Sequence, residues 1–220
     1  MSKNKTPSSV NSPVRDGFIW ILQTALMLVV LWGIMWLLNR YVIDNTLVQG
    51  TSMQPTFEDQ DRAIAWRHSK IKTGDVVVID APDQPGSFYI KRVIATPKQK
   101  IVAKNNQIYI NGKKLNQKFL QPGSKLVDDG SNGVYGTNYT DTNDFSIKSL
   151  AKTSNYRAIY SQKQLQAMKR TNQVPNGTYF VMGDHRSVSK DSRYIGCIPR
   201  NKIEGVVKFR YWPLTQMKVF

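Results

Sequence analysis

The sequence predicts a mainly β domain that is preceded by one membrane-spanning helix. Three observations support this fold class. Residues 17–38 (GFIWILQTALMLVVLWGIMWLL) contain no charged side chain. From residue 40 onward, short runs of β-branched and aromatic residues alternate with Gly, Pro, Asn and Asp, which is typical of strands and turns. Helical periodicity is scarce in this part of the chain and is strongest at residues 161–170.

The apolar segment is long enough to cross a bilayer. Its 22 residues would form a helix of about 33 Å, and the hydrocarbon core is about 30 Å thick. The alternative is a cleaved secretory signal, whose apolar region spans about 7 to 15 residues and ends at small residues. Here Asn39-Arg40-Tyr41 follows instead. We therefore predict an uncleaved transmembrane anchor at residues 17–39.

The charges that flank the anchor predict its orientation. The short tail before it carries Lys3, Lys5 and Arg15 against Asp16, and basic residues favour the cytoplasmic side. Long domains translocate largely regardless of their own charge. We therefore expect residues 1–16 to form a cytoplasmic tail and residues 40–220 to form one extracytoplasmic domain.

The predicted elements of this domain follow one another as strands and turns. Residues 107–120 are typical of a hairpin, because Asn111-Gly112 supplies the positive φ angles of a type I′ turn. Residues 123–146 are rich in Gly, Ser, Asn, Asp and Thr, which predicts a loop or an irregular hairpin. Residues 161–170 (SQKQLQAMKR) predict a helix. Further strands are expected at residues 75–80, 88–94, 178–182 and 205–211.

The composition excludes several functional classes. Cys197 is the only cysteine, so neither an intrachain disulfide nor a cysteine-based zinc cluster can form. His68 and His185 are the only histidines and do not have H-E-x-x-H spacing, which excludes that metalloprotease class. We expect no metal and no cofactor. Hydrolytic chemistry would therefore need a side-chain nucleophile.

The net charge indicates a polyanionic contact without identifying it. The chain has 31 Lys and Arg against 15 Asp and Glu, a formal charge of +16. Such a charge favours an anionic lipid surface or nucleic acid. No helix-turn-helix pattern precedes Ser52, so nucleic-acid binding would rest on net charge alone and we expect none. We expect membrane lipids as partners.

Three stretches carry residues capable of chemistry. Ser52 lies in residues 50–56 (GTSMQPT), which alone are typical of a turn with a capping hydroxyl. Lys91 lies inside the apolar run 88–94, where it is either an exposed edge lysine or a buried base with a lowered pKa. A serine nucleophile needs such a base. Residues 182–199 are either a polar, turn-rich loop or the scaffold of a site.

Taken together, these stretches resemble the bacterial type I signal peptidases, a membrane-bound Ser-Lys peptidase family. Residues 50–56 are similar to the family's nucleophile box, residues 91–94 (KRVI) to its general-base box, and residues 183–193 (GDHRSVSKDSR) to its third box. Residues 74–77 (GDVV) resemble the strand between the first two boxes. The single span is similar to the Gram-positive branch, and the variable insert at residues 121–171 matches nothing in the family pattern.

The resemblance implies a role for each matching residue. Ser52 would be the acylated nucleophile, Lys91 its general base, and Ser189 would hydrogen-bond the lysine amine and orient it. The implied residues at the substrate pocket are Met53 and Gly50. The implied structural residues, of which the last two would pair and hold the loop, are Asp184, Arg186, Asp191 and Arg193. The implied substrates are signal-peptide-bearing preproteins, bound as an added β-strand and cleaved after small residues in an Ala-X-Ala-like pattern.

This sequence departs from the family pattern at a few positions. His185 stands where the family usually has asparagine. Residues 95–99 (ATPKQ) replace the Gly-x-Pro-Gly-Asp run that usually follows the lysine. Gly50 has no hydroxyl, although some family members donate one from this position to the oxyanion hole. The Ser52 backbone N–H remains as a donor there.

Two alternatives to the peptidase stay open at this stage. The first is a catalytically silent, membrane-anchored binding module of the same fold, which an exposed and protonated Lys91 would favour. The second is a self-cleaving repressor-type Ser-Lys protein, which would need a DNA-binding domain. An apolar span occupies the place where that domain would lie.

Overall fold

The computed structural model describes residues 13–120, 124–128, 134–138 and 140–220, and it describes no side chains for residues 13–16, 39 and 121–139. The chain forms two units, residues 1–42 and residues 43–220. Most of the predicted tail at residues 1–16 lies outside the described residues.

The first unit contains one long helix, α1, at Pro13–Tyr41. Its apolar segment Gly17–Leu38 has a mean hydropathy of 2.2 and is long and apolar enough to cross a membrane. The large apolar side chains along this segment are exposed, for example Trp20 and Trp32. Such a surface suits a hydrocarbon environment. The helix is a few residues longer at both ends than the predicted anchor.

The second unit is mainly β, as the sequence predicts. Its described strands are β1 Ile43–Leu47, β2 Arg62–Trp66, β3 Val76–Asp80, β4 Phe88–Ala95, β5 Ile101–Lys104, β6 Gln107–Ile110, β7 Lys113–Lys114, β8 Ser124–Asp128, β9 Val134–Asn138, β10 Phe145–Ser146, β11 Thr178–Met182, β12 Ile198–Pro199, β13 Ile203–Trp212 and β14 Lys218–Val219. Its described helices are α2 Ile147–Leu150, α3 Ser154–Ile159, α4 Gln162–Thr171 and α5 Ser192–Ile195, with short 3-10 helices at Arg200–Lys202 and Leu214–Gln216.

An antiparallel sheet forms the centre of this unit. Its strand order is β1-β2-β13-β3-β4-β11-β12, and β14 pairs with β13. The β-branched run Val76, Val77, Val78 and Ile79 is fully buried in β3, because apolar side chains cover both faces of the sheet there. On one face Val78 packs with Met53 and Phe57, and on the other Val77 packs with Val93 and Val181. The central strands β3 and β4 are thereby held rigidly.

A smaller sheet, of order β10-β5-β6-β7, lies with the helices α2 to α4 around a shared core. The predicted hairpin is present, and Asn111 and Gly112 have φ of 51° and 81°. Its second strand, β7, is much shorter than predicted. Helix α4 confirms the predicted helix, with the Ser161 side chain capping its N-terminus and Asn172 ending it in the left-handed conformation.

The predicted loop or irregular hairpin at residues 123–146 contains an antiparallel hairpin of β8 and β9. The helices α2 and α3 were not predicted. Each has only a few residues and begins at a hydroxyl cap, Ser146 and Thr153 respectively. These helices are too short for an apolar period to be recognised in the sequence.

Candidate active site

Ser52 lies in the turn that follows β1. Gly50, with φ of +83°, adopts a conformation that favours glycine, and its N–H donates to Asp59 Oδ1 at 2.7 Å. The side chains of Met53 and Phe57 are completely buried and anchor the turn in the core. The backbone N–H of Phe57 donates to Met53 O within the turn. The Ser52 hydroxyl is therefore carried by a short segment whose apolar side chains are fixed in the core.

Lys91 projects from the middle of β4 and is 3% exposed. Its Nζ donates to Ser52 Oγ at 2.7 Å. The residue that pairs with it across the sheet is Val77 of β3. Burial among such neighbours lowers the pKa of Lys91 to about 8, while the Asp191 carboxylate raises this pKa and the Arg193 guanidinium lowers it. A buried lysine with a pKa near neutral can serve as a proton acceptor.

The loop after β11 is organised by one buried carboxylate. Asp191 Oδ2 accepts from Gly183 N–H at 3.0 Å and from Arg193 Nη2 at 2.8 Å. Its Oδ1 accepts from Arg193 Nε at 2.8 Å. Arg193 Nη2 also donates to Arg186 O at 2.6 Å. The two charges are thus bidentately paired and bonded to the backbone, which is the condition under which a buried ion pair is tolerated.

Ser189 lies beside the dyad but makes a different bond from the one expected. Its Oγ accepts from Gly183 N–H at 3.1 Å, whereas the hydrogen-bond partner of Lys91 Nζ in the described part of the chain is Ser52 Oγ. The expected Ser189–Lys91 hydrogen bond is therefore absent. A Cβ on Gly183 would lie 2.3 Å from Ser189 Oγ and 2.4 Å from Ser52 O, so the two serines face the same glycine.

A second buried ion pair ties the three sequence boxes together. Asp184 accepts from Arg92 Nε at 2.8 Å and from Arg92 Nη2 at 2.6 Å. Thr56 Oγ1, from the Ser52 turn, donates to the same carboxylate at 2.5 Å. Arg92 follows Lys91 on β4, so its side chain points to the opposite face. The sequence contained Arg92 and Thr56 within the boxes, yet nothing in it indicated that they bond to Asp184.

His185 and Arg186 are both fully buried. The backbone N–H of His185 donates to Ser52 O at 3.1 Å, which fixes the carbonyl of the serine. Arg186 Nε donates to Gly183 O at 3.1 Å and Nη1 to Gln117 Oε1 at 2.7 Å. Burial lowers the pKa of Arg186 to about 10. His68, in contrast, is exposed in a turn after β2.

The dyad opens into a hollow of about 280 Å³. Its lining includes Gly50 and both dyad residues, and the complete set is Gln49, Gly50, Thr51, Ser52, Tyr89, Lys91, Val188 and Lys190. Met53, expected beside the substrate pocket, does not line this hollow. It packs in the core with Phe57 and Val78, because the turn directs it away from Ser52. Among the described residues, no group of three or more His, Cys, Asp or Glu side chains could hold a metal ion.

A serine hydroxyl that is hydrogen-bonded to a buried lysine of lowered pKa, carried on a β-sheet domain, is the arrangement expected of a Ser-Lys hydrolase. The comparison with known families makes this class specific. A family model described as "Signal peptidase, peptidase S26" matches residues 21–212. The chain therefore belongs to the S26 signal peptidase family, whose members are serine endopeptidases.

Individual relatives agree with this assignment. Signal peptidase IB of Staphylococcus aureus strain Mu50 is 32% identical over 203 residues, covering 90% of this chain and 91% of the relative. Signal peptidase I of Bacillus caldolyticus is 33% identical over 183 residues, covering 81% and 85%. A crystal structure of a signal peptidase I from Enterococcus faecalis V583 is 28% identical and covers 63% of this chain and 97% of its own, with a TM-score of 0.43. The family model and the two sequence relatives support signal peptidase function rather than the catalytically silent module.

Proposed function

We propose that Ser52 and Lys91 form the catalytic dyad with which this chain removes N-terminal signal peptides from exported preproteins. The observation that carries the proposal is the 2.7 Å hydrogen bond between Lys91 Nζ and Ser52 Oγ. A serine hydroxyl becomes nucleophilic when a neighbouring base takes its proton. Lys91 suits that role because its burial favours the neutral amine.

The reaction is an acyl transfer in two steps. Neutral Lys91 removes the Ser52 proton as Ser52 Oγ attacks the scissile carbonyl. The Lys91 ammonium then gives this proton to the nitrogen of the leaving segment, the peptide bond breaks, and the signal peptide is left esterified to Ser52. Neutral Lys91 then activates a water molecule that hydrolyses the ester and frees Ser52. The backbone N–H of Ser52 is one donor for the oxyanion, since Gly50 offers no hydroxyl.

The open edge of β4 supports binding of an extended substrate. Strand β3 pairs with β4 from Phe88 to Arg92, but β11 pairs with it only from Arg92 to Ala95. The other edge at residues 88–91 is therefore available for an added strand that leads to Lys91. The adjoining hollow of about 280 Å³ leaves room beside Ser52 for the small side chains, such as alanine, that the family resemblance implies before the cut.

The remaining site residues position the dyad. Ser189 would hold Gly183 in place beside the dyad, because its Oγ accepts a hydrogen bond from Gly183 N–H. Asp191 and Arg193 would hold the loop closed, and Asp184 with Arg92 would join it to β4. Arg186 would fix the Gly183 carbonyl. These are positioning roles, because they act on the dyad through the loop.

The anchor places the enzyme on the surface where its substrates are held. We propose residues 1–16 as a cytoplasmic tail, residues 17–39 as a single-pass anchor in the cell membrane, and residues 40–220 as an extracytoplasmic catalytic domain with an insert at 121–171. The basic residues Lys3, Lys5 and Arg15 support this orientation. Membrane lipids are then partners of both the anchor and the basic chain.

Cleavage of a purified precursor tests the dyad. We expect Ser52→Ala and Lys91→Ala to abolish cleavage while thermal unfolding shows the same folded domain. Lys202→Ala is the matched control, because Lys202 lies at an exposed ion pair with Asp80 outside the site, and it should cleave normally. Sequencing of the new N-terminus defines the bond that is cut. Processing that survives either dyad substitution would refute the assignment.

A further inference from the structure

A second hollow adjoins the catalytic one. It has a volume of about 410 Å³ and is lined by Asn155, Ser187, Val188, Ser189, Lys190 and Tyr194. Val188 and Lys190 also line the catalytic hollow, so the two hollows share a wall beside Ser52. Asn155 belongs to α3, so the insert supplies part of the far wall.

Lys190 stands at the boundary between the two hollows. It is the one charged residue among those lining the second hollow, and its side chain is 61% exposed. Its Nζ pairs with Asp83 at 2.5 Å. Asp83 Oδ2 also accepts from the Tyr89 hydroxyl at 3.3 Å. The pair thus links a loop residue between β3 and β4 with the loop that follows β11.

The two hollows differ in what they can accept. A substrate chain that crosses Ser52 extends to both sides of the scissile bond. The smaller hollow, with Gly50 and Thr51 in its wall, suits the small residues before the cut. The larger hollow has polar walls and a cation, and the residues after the cut need not be small. It is therefore the place for the leaving segment of the substrate.

We propose that Lys190 is a specificity-determining residue that binds an acidic side chain within the first three substrate residues after the scissile bond. The proposal rests on the proposed function of Ser52 and Lys91. An exposed ion pair such as Lys190–Asp83 is weak, so a substrate carboxylate can take the place of Asp83. Asp83 then keeps the Tyr89 hydroxyl as a partner.

Matched substrates test the proposal with the full-length enzyme in detergent. Precursor peptides share one signal sequence and carry Glu, Gln or Lys at the first, second or third position after the cut. For the wild-type enzyme we expect kcat/KM to be about three- to fivefold higher for Glu than for Gln at one of these positions. Lys190→Met should remove this ratio, Lys190→Arg should retain it, and Lys190→Glu should reverse it in favour of the Lys substrate.

Lys202→Met is the matched control, because the Lys202–Asp80 pair is also 2.5 Å long and similarly exposed but lies outside both hollows. It should keep the wild-type ratio. A wild-type enzyme without a preference for Glu, or a preference that persists in Lys190→Met, overturns the proposal. The Gln substrate distinguishes a failure of this proposal from a failure of the proposed dyad. Ser52→Ala should no longer cleave the Gln substrate. If Ser52→Ala still cleaves it, the proposed function is refuted instead.

Discussion

At the scale of single residues, the environment of Lys91 decides whether the dyad can work at a physiological pH. Burial opposes the ammonium form and lowers the pKa. The nearby carboxylates of Asp191 and Asp184 act in the opposite direction, and Arg193 adds to the lowering. The effect of burial is larger than that of the carboxylates, since the pKa of Lys91 falls from 10.5 to about 8. The same carboxylates that organise the loop therefore limit how far the base is activated.

This balance predicts the pH dependence of the reaction. Lys91 must be neutral to accept the Ser52 proton, so kcat/KM should fall about tenfold for each pH unit below the pKa of about 8. It should level off above that pH. The measurement is kcat/KM for a neutral peptide substrate from pH 6 to 10. If kcat/KM instead rose with a midpoint near pH 10.5, the ordinary pKa of a lysine, the role of burial would be contradicted.

The sequence allowed the residues of the proposed dyad to be named, but it did not predict their surroundings. Ser52 and Lys91 follow from the similarity of their boxes to a known family. Their distance and the burial of Lys91 depend on the register of β4 against β3, which residue types alone do not fix. The bond of Ser189 to Gly183, in place of Lys91, depends on the backbone path of the loop. The position of the Asp184 carboxylate beside Arg92 also depends on the backbone path of this loop.

At the scale of elements, the loop of residues 183–193 brings the turn of Ser52 against β4. Gly183 lies directly against the turn, because a Cβ added there would clash with Ser52 O. The strands β3 and β11 were predicted almost to the residue, since continuous β-branched and aromatic runs are strong signals. The helices α2 and α3 depend on a capping hydroxyl and a few packed side chains. Such short elements become evident only in the folded chain.

The close approach at Gly183 predicts a loss of activity for Gly183→Ala. The added Cβ would lie 2.3 Å from Ser189 Oγ and 2.4 Å from Ser52 O, so the Ser52 turn must shift. A displacement of about 1 Å costs on the order of 100-fold in rate. We expect kcat for a precursor peptide to fall by about this factor.

Gly205→Ala is the control for this prediction. Its Cβ would meet Ala65 and Trp66 at 3.1 to 3.2 Å in the sheet, away from the dyad. It should lower the melting temperature and leave kcat of the folded enzyme close to the wild-type value. Equal kcat values for the two variants would show that Gly183 has no special relation to the site.

At the scale of the whole molecule, the anchor and the catalytic unit contribute in different ways. The catalytic unit has three apolar core clusters of its own, whereas the described side chains of the Gly17–Leu38 span are almost all exposed. The fold class and this division were predictable, because the charge-free segment ends sharply at residue 38. Within the insert only the helix at residues 161–170 was predictable, since the polar composition of the remainder matches no regular pattern.

The division predicts the effect of removing the anchor. Confinement of enzyme and precursor to one surface raises their effective concentration. Deletion of residues 1–42 should therefore lower processing of a precursor inserted in vesicles by about 100-fold or more. Cleavage of a short soluble peptide, and the position of the cut, should change little. Fusion of an unrelated apolar span should restore processing. Equal losses on both substrates would contradict this division of labour.

The core shared by the insert also constrains how this lineage can change. Tyr156, Leu165 and Met168 of the insert helices pack in the same cluster as Ile94 of β4 and Phe180 of β11. A descendant that lost the insert helices would uncover part of the apolar surface around those two strand residues. We therefore expect such a loss to be accompanied by less apolar replacements on β4 and β11, so that insert length and these core positions evolve together.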